Sequence, residues 1–152
     1  MKRIFSLCAR EFVTGNEVDW TRIKTAQTWA GEAYRIYKAA FDRAPDMNGL
    51  GYWINDMDGG TSLTTVAAGF IASDEFQSRY GAAVNDVDFI TLLYANVLDR
   101  TPDQQGLDYW VNDMKNGLSR SAVLASFSES TENQRNVSDL IANGIEYAPF
   151  IS

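Results

Sequence analysis

Between Val18 and Phe41 no proline interrupts the chain, and Ile23, Ala26, Trp29, Ala30, Ala33, Ile36, Tyr37, Ala40 and Phe41 recur at three- and four-residue spacing. That period lines them along one face of a helix. Asp19 is placed to cap its start, and Gly31 to divide it into two helices. Beyond Phe41 the same kind of pattern returns in shorter pieces, with polar or glycine-bearing breaks of three to six residues between them, the spacing of packed helices. No stretch alternates apolar and polar residues over a strand's length. The expected fold class is all-α.

The later pieces are two copies of one pattern. Shifted by 57 positions, Tyr37–Glu75 lies over Tyr94–Glu132 without a gap, and nineteen pairs are identical. Each copy carries Asp-Arg-x-Pro-Asp-x-x-Gly-Leu-x-Tyr-Trp, from Asp42 to Trp53 and from Asp99 to Trp110. A close repeat of this kind means one supersecondary unit used twice. In each unit a helix ends near Asp42-Arg43 or Asp99-Arg100. Thr101-Pro102-Asp103-Gln104 has the form of a capping box with proline at the first helical position. The helix that follows runs to Met57 or Met114, and Gly49 or Gly106 near its start lets another backbone come close. Ser62 and Ser119 cap a third helix, Ser73 and Ser130 a short fourth. Asp86 or Asp88 starts the first helix of the second copy. The expected organisation is an N-terminal helical extension over 1–30, a four-helix repeat over 31–86, a second over 87–143, and an apolar tail over 144–152. The two repeats share one core about a pseudo-twofold axis.

Composition narrows the chemistry. With 13 basic and 20 acidic residues the net charge is −7, which disfavours nucleic acid or an anionic membrane as partner. No apolar run is long enough for membrane insertion. The start, Met1 to Ala9, has a six-residue apolar stretch closed by Arg10-Glu11, shorter than the core of a signal peptide; synthesis in the cytoplasm is expected. Cys8 is the single cysteine, so no internal disulfide forms. The absence of histidine removes Ser-His-Asp triads, Cys-His dyads and nearly every zinc site.

The repeated string, followed by Gly60/Ser62 or Gly117/Ser119 and then Phe-x-x-Ser-x-Glu (Phe70–Glu75, Phe127–Glu132), resembles the bacterial domain of unknown function 4214 family, twice, from Tyr34 to about Val137. It is more distantly similar to phycobilisome linker polypeptides, which are scaffold proteins. The resemblance implies an all-helical module of large secreted or surface proteins, often beside calcium-binding repeats and adhesin regions. It brings no catalytic residues.

The residues themselves allow several readings. Arg43 and Arg100 are expected to tie their turns through carboxylate and carbonyl hydrogen bonds, the alternative being a ligand clamp. Trp53 and Trp110 are core anchors, while the adjacent Tyr52 and Tyr109 point elsewhere on the helix. Tyr52, Tyr109, Asp56 and Asp113 form a candidate glycan-binding set of aromatic plus carboxylate. Asp46-Met47-Asn48-Gly49 does not fit an EF-hand, since position 1 is Ala44 and position 12 is Asn55; a calcium site on Asp56 and Asp58 is a weaker option, and no other cofactor is expected. Positions that differ between copies, Met47-Asn48 against Gln104-Gln105, Gly51 against Asp108, and Asp58-Gly59 against Lys115-Asn116, are expected at the surface, where a partner could tell the halves apart. Phe5, Phe12, Trp20, Tyr147, Phe150 and Ile151, outside the repeats, are candidate anchors for other protein subunits; the equal alternative is that they pack on their own domain.

The expected function is therefore that of a non-catalytic structural and interaction module, not an enzyme. It would be a subunit of a larger assembly such as a virion or a cell-surface structure. A glycan-binding adhesion module is the alternative.

Overall fold

The computed structural model describes residues 13–14, 17–18, 23–24, 29–81 and 84–151. Eight α-helices run through them: α1 Trp29–Phe41, α2 Met47–Asp58, α3 Leu63–Ala72, α4 Asp74–Tyr80, α5 Asp86–Leu98, α6 Gln104–Lys115, α7 Arg120–Ser128 and α8 Thr131–Val137. A 3₁₀ turn, Ser138–Leu140, follows. The starts of α1 to α4 recur in α5 to α8 after 57 residues, so the sequence repeat is a repeat of four helices.

Among the described residues strands are confined to two-residue ladders. β1 (Val13–Thr14) pairs with β2 (Glu17–Val18), and β3 (Ile23–Lys24) with β4 (Ile145–Glu146), both antiparallel. The expected helix over 18–41 is therefore corrected: α1 begins at Trp29, and Val18, Ile23 and Lys24 are extended. β-branched Val18 and Ile23 suit that conformation, and pairing with 145–146, remote in sequence, overrides the helical period. Gly31 divides nothing; it lies buried inside an unbroken α1. The Asp19 cap lies outside the described residues, as does Cys8.

The helix starts show what each cap does. Ser62 Oγ accepts from Thr65 N and Ser119 Oγ from Ala122 N, at 3.2 and 3.1 Å. Ser73 and Ser130 cap α4 and α8, accepting from Phe76 N and Asn133 N, and each hydroxyl also donates back to the end of the previous helix, at Phe70 O or Phe127 O. One serine thus closes one helix and opens the next. At α6 the cap is Asp103, not Thr101: its carboxylate accepts from Gly106 N, as Asp46 accepts from Gly49 N at α2. Pro102 precedes the cap and rigidifies the approach. At α5 the cap is Asn85, accepting from Asp88 N, which leaves Asp86 and Asp88 in the first turn facing the positive end of the helix dipole.

The core is organised around α1. Ala30, Ala33, Ile36 and Ala40 are fully buried there, and the small alanines let neighbours approach closely. α1 packs on α2, α3, α4, α5, α7 and α8, whereas its counterpart α5 packs on α1, α6, α7 and α8 without extensive contact to α3. The two halves thus differ in how their first helices are packed. The largest helix contact is α3 against α7, which joins the halves; Val66 and Phe70 of α3 and Val123 and Phe127 of α7 are buried. Arg35 of α1 adds a bidentate pair to Glu129 at the end of α7, at 2.7 and 2.6 Å.

A second inequality shapes the surface. α2 buries Leu50, Gly51, Ile54 and Met57, but α6 buries no residue fully. Residues 145–151 account for part of this. They run back over α2, where Ala148 N donates to Met47 O at 2.9 Å.

Candidate functional site

The polar residues shared by both halves are largely engaged within their own half. Arg43 grips Glu75 through Nε and Nη2, at 2.8 and 2.9 Å, and Arg100 grips Glu132 with the same two atoms and distances. The guanidiniums also donate to the next backbone carbonyl, Ala44 O or Thr101 O. They lie over Tyr37 and Tyr94 respectively, about 5 Å from the ring centroids. This ties the α1–α2 turn to α4, and the α5–α6 turn to α8. The expected arginine-tied turns are present; the tying carboxylate is the glutamate of the Phe-x-x-Ser-x-Glu string. These guanidiniums hold Glu75 and Glu132 below the ordinary carboxylate range.

Asp46 takes the Tyr37 hydroxyl at 2.6 Å as well as Gly49 N, and both bonds lower its pKa, the tyrosine's most. The same crowding explains the shared glycine. A Cβ at Gly106 would stand 2.6 Å from Tyr94 Oη, and one at Gly49 within 3.2 Å of Tyr37 Oη and the Asp46 carboxylate. The expected close backbone is replaced by tyrosine and aspartate side chains. Trp53 and Trp110 are half-buried, lying on Phe70 and Phe127 at 5.0 and 5.2 Å.

Backbone does approach closely at Gly51. A Cβ there would lie 1.7 Å from Ala148 O. Gly51 is buried beneath the closing segment, which corrects the expectation that it is a surface position, whereas Asp108, its counterpart, is exposed and accepts from Gln104. The other differing positions, Met47-Asn48, Gln104-Gln105, Asp58-Gly59 and Lys115-Asn116, are exposed.

Between α2 and the closing segment lies a cleft of about 260 Å³, lined by Gly51, Ile54, Asn55, Asp58, Tyr147 and Phe150 among others. At its edge the indole N–H of Trp29 donates to Asp58. Among the described residues no ion pair involves Asp58. Phe150 packs edge-on against Tyr52, with centroids 5.3 Å apart. A second cavity, about 180 Å³, sits where the halves meet, lined by Lys38, Asp42, Asn96, Asp99 and Asn133 among others. Lys38 is paired with Asp42 at 2.5 Å. Among the described residues no three carboxylate or thiol groups converge as metal ligands.

Tyr52 and Tyr109 are exposed, 43% and 59%, each one helical turn before a half-buried aspartate, Asp56 or Asp113. The pairs ride on α2 and α6, which make no extensive contact, so the four residues are not gathered into one site. Of the candidate partner anchors, Tyr147 is buried in the core, where it packs on its own domain. Phe150 and Ile151 are exposed. Phe5, Phe12 and Trp20 lie outside the described residues. The cleft itself was partly legible, since Gly51 and Asp58 differ from their counterparts Asp108 and Lys115. Nothing in the residue pattern says that 145–151 returns to α2.

The family model described as a domain of unknown function (DUF4214) matches residues 24–71 and 67–137. No curated protein and no solved structure matches the chain.

Proposed function

The chain belongs to the family of this domain of unknown function, and on that premise we propose that it is a non-catalytic interaction module, held in a larger assembly by protein–protein contacts. The observation that carries this reading is where the polar residues of the repeat are spent. Arg43, Arg100, Asp46, Asp103, the four capping serines, Glu75 and Glu132 all bond within their own half, which is the work of a scaffold. Two of the usual signs of an active site are a concave pocket and a buried, perturbed acid or base inside it. Among the described residues that line the cleft beside α2 the one carboxylate, Asp58, is exposed.

Contact surface is available on the same side. Met47, Tyr52, Phe150 and Ile151 are exposed apolar side chains, joined by the Ala148–Met47 bond and the Tyr52–Phe150 contact. Aromatic groups of this kind anchor protein interfaces. Cross-linking mass spectrometry in the source cells or particles tests the reading. Inter-chain links to a stoichiometric partner, concentrated on α2 and residues 145–151, are expected. Links confined to the chain itself would contradict it.

A further inference from the structure

We propose that the cleft between α2 and residues 145–151 is a socket for one basic side chain, an arginine or lysine presented by the partner protein. The inference rests on the interaction-module reading and specifies what the partner offers. Three features point to a cation. Asp58 places a carboxylate at the cleft, and among the described residues its one hydrogen-bond donor is the neutral Trp29 N–H. Aromatic rings stand beside it: Tyr147 and Phe150 in the lining, and Trp29, 48% exposed, at the carboxylate. A guanidinium or ammonium is attracted both to a carboxylate and to the face of an aromatic ring. Third, the chain as a whole carries a charge of −7, which draws basic partners and raises their association rate.

The size limits the guest. At about 260 Å³ the cleft falls below the roughly 300–1,000 Å³ of sites for drug-sized ligands, and so suits a single side chain better than an extended ligand. The second half cannot offer the same socket. Lys115 stands where Asp58 is, and Asp108 where Gly51 gives room to the backbone of Ala148. The socket therefore breaks the symmetry of the repeat and would give the module one oriented contact.

The test is a titration of the ¹⁵N-labelled chain with N-acetyl-arginine amide, followed by NMR, with N-acetyl-glutamate amide and a methyl glycoside as comparison probes. Saturable shifts at Asn55, Asp58 and Phe150 with the arginine probe alone are expected. Asp58→Asn keeps an acceptor for Trp29 and removes the charge, so it should weaken binding about two- to fivefold. Phe150→Ala, at an exposed position, should weaken it independently. No shift at these residues, equal shifts with the glutamate probe, or unchanged affinity in Asp58→Asn would overturn the socket. So would shifts with the glycoside alone, which would mark a sugar site instead. The native mass of the source complex reports on the assembly without depending on Asp58, so a failed socket and a failed assembly reading are told apart.

Discussion

Replacing Gly51 with alanine sets two effects of opposite sign against each other. Gly51 lies inside α2, and there alanine is the better helix former by about 1 kcal/mol. Propensity alone predicts a more stable protein. Packing predicts the reverse. The new Cβ would stand 1.7 Å from Ala148 O and 2.9 Å from its carbonyl carbon, and both obstacles are backbone, so the closing segment must lift. Lifting loses the Ala148–Met47 hydrogen bond, about 1 kcal/mol. It also loses the Tyr52–Phe150 edge contact, about 1 kcal/mol. It partly uncovers Ile54 and Tyr147, which line the cleft, for about 2 kcal/mol more of apolar burial. After the helix gain the net loss is about 3 kcal/mol. At about 2–4 °C per kcal/mol for a domain of this size, Tm should fall by roughly 6–12 °C. Thermal melts followed by circular dichroism read the fall, and hydrogen exchange at the Ala148 amide reads the lifted segment. An unchanged or raised Tm with Ala148 still protected would refute the packing account. Asp108→Ala, the matching change on α6, should stay within about 0.5 kcal/mol.

Other expectations follow from the same contacts. Arg35→Leu leaves the Glu129 carboxylate without its guanidinium and should cost about 2–3 kcal/mol; Arg35→Leu with Glu129→Ala restores the pair found at the equivalent positions, Leu92 and Ala72, and should recover most of that in urea unfolding. Burial first, and the nearby Glu129 second, raise the pKa of Glu32, so its charged form is penalised above that raised value. Glu32→Gln should therefore raise Tm at pH 7, with the gain disappearing below about pH 4, where the wild-type carboxyl is protonated in both states. Asp46, Glu75 and Glu132 have lowered pKa values in the fold. Their contribution is present above their ordinary range and is lost as pH falls through the folded-state values. Urea unfolding from pH 6 to 2 should show a decline below about pH 4, shallower in Arg43→Ala/Arg100→Ala, with each exposed pair worth under about 1 kcal/mol.

The local rules of the chain were readable wherever a residue acts on its near neighbours. Serine caps, the turn at Asp42 and Asp99 and the four-helix period all follow from spacing, and the structure places each where the pattern does. Asp42 and Asp99 even take the left-handed conformation at φ 47 and 54, which aspartate tolerates better than most residues. Local spacing carries no information where remote parts of the chain meet. Ile23–Lys24 read as helix because their partners, 145–146, are more than a hundred positions away. Gly51 read as surface for the same reason. The capping-box form points to Thr101 because threonine is also a fair cap, and only the bond to Gly106 N shows that Asp103 takes that place. The uneven packing of α1 and α5 was hidden too: Arg35 and Leu92 occupy equivalent positions, and only the fold shows that Arg35 reaches Glu129 of the other half.

The most direct test of the central claim is the native mass of the species that contains this chain, taken from its source at endogenous levels. The account predicts a stoichiometric complex well above the 16.9 kDa of the chain, with a constant ratio of this subunit to its partner. A free 16.9 kDa monomer would contradict it.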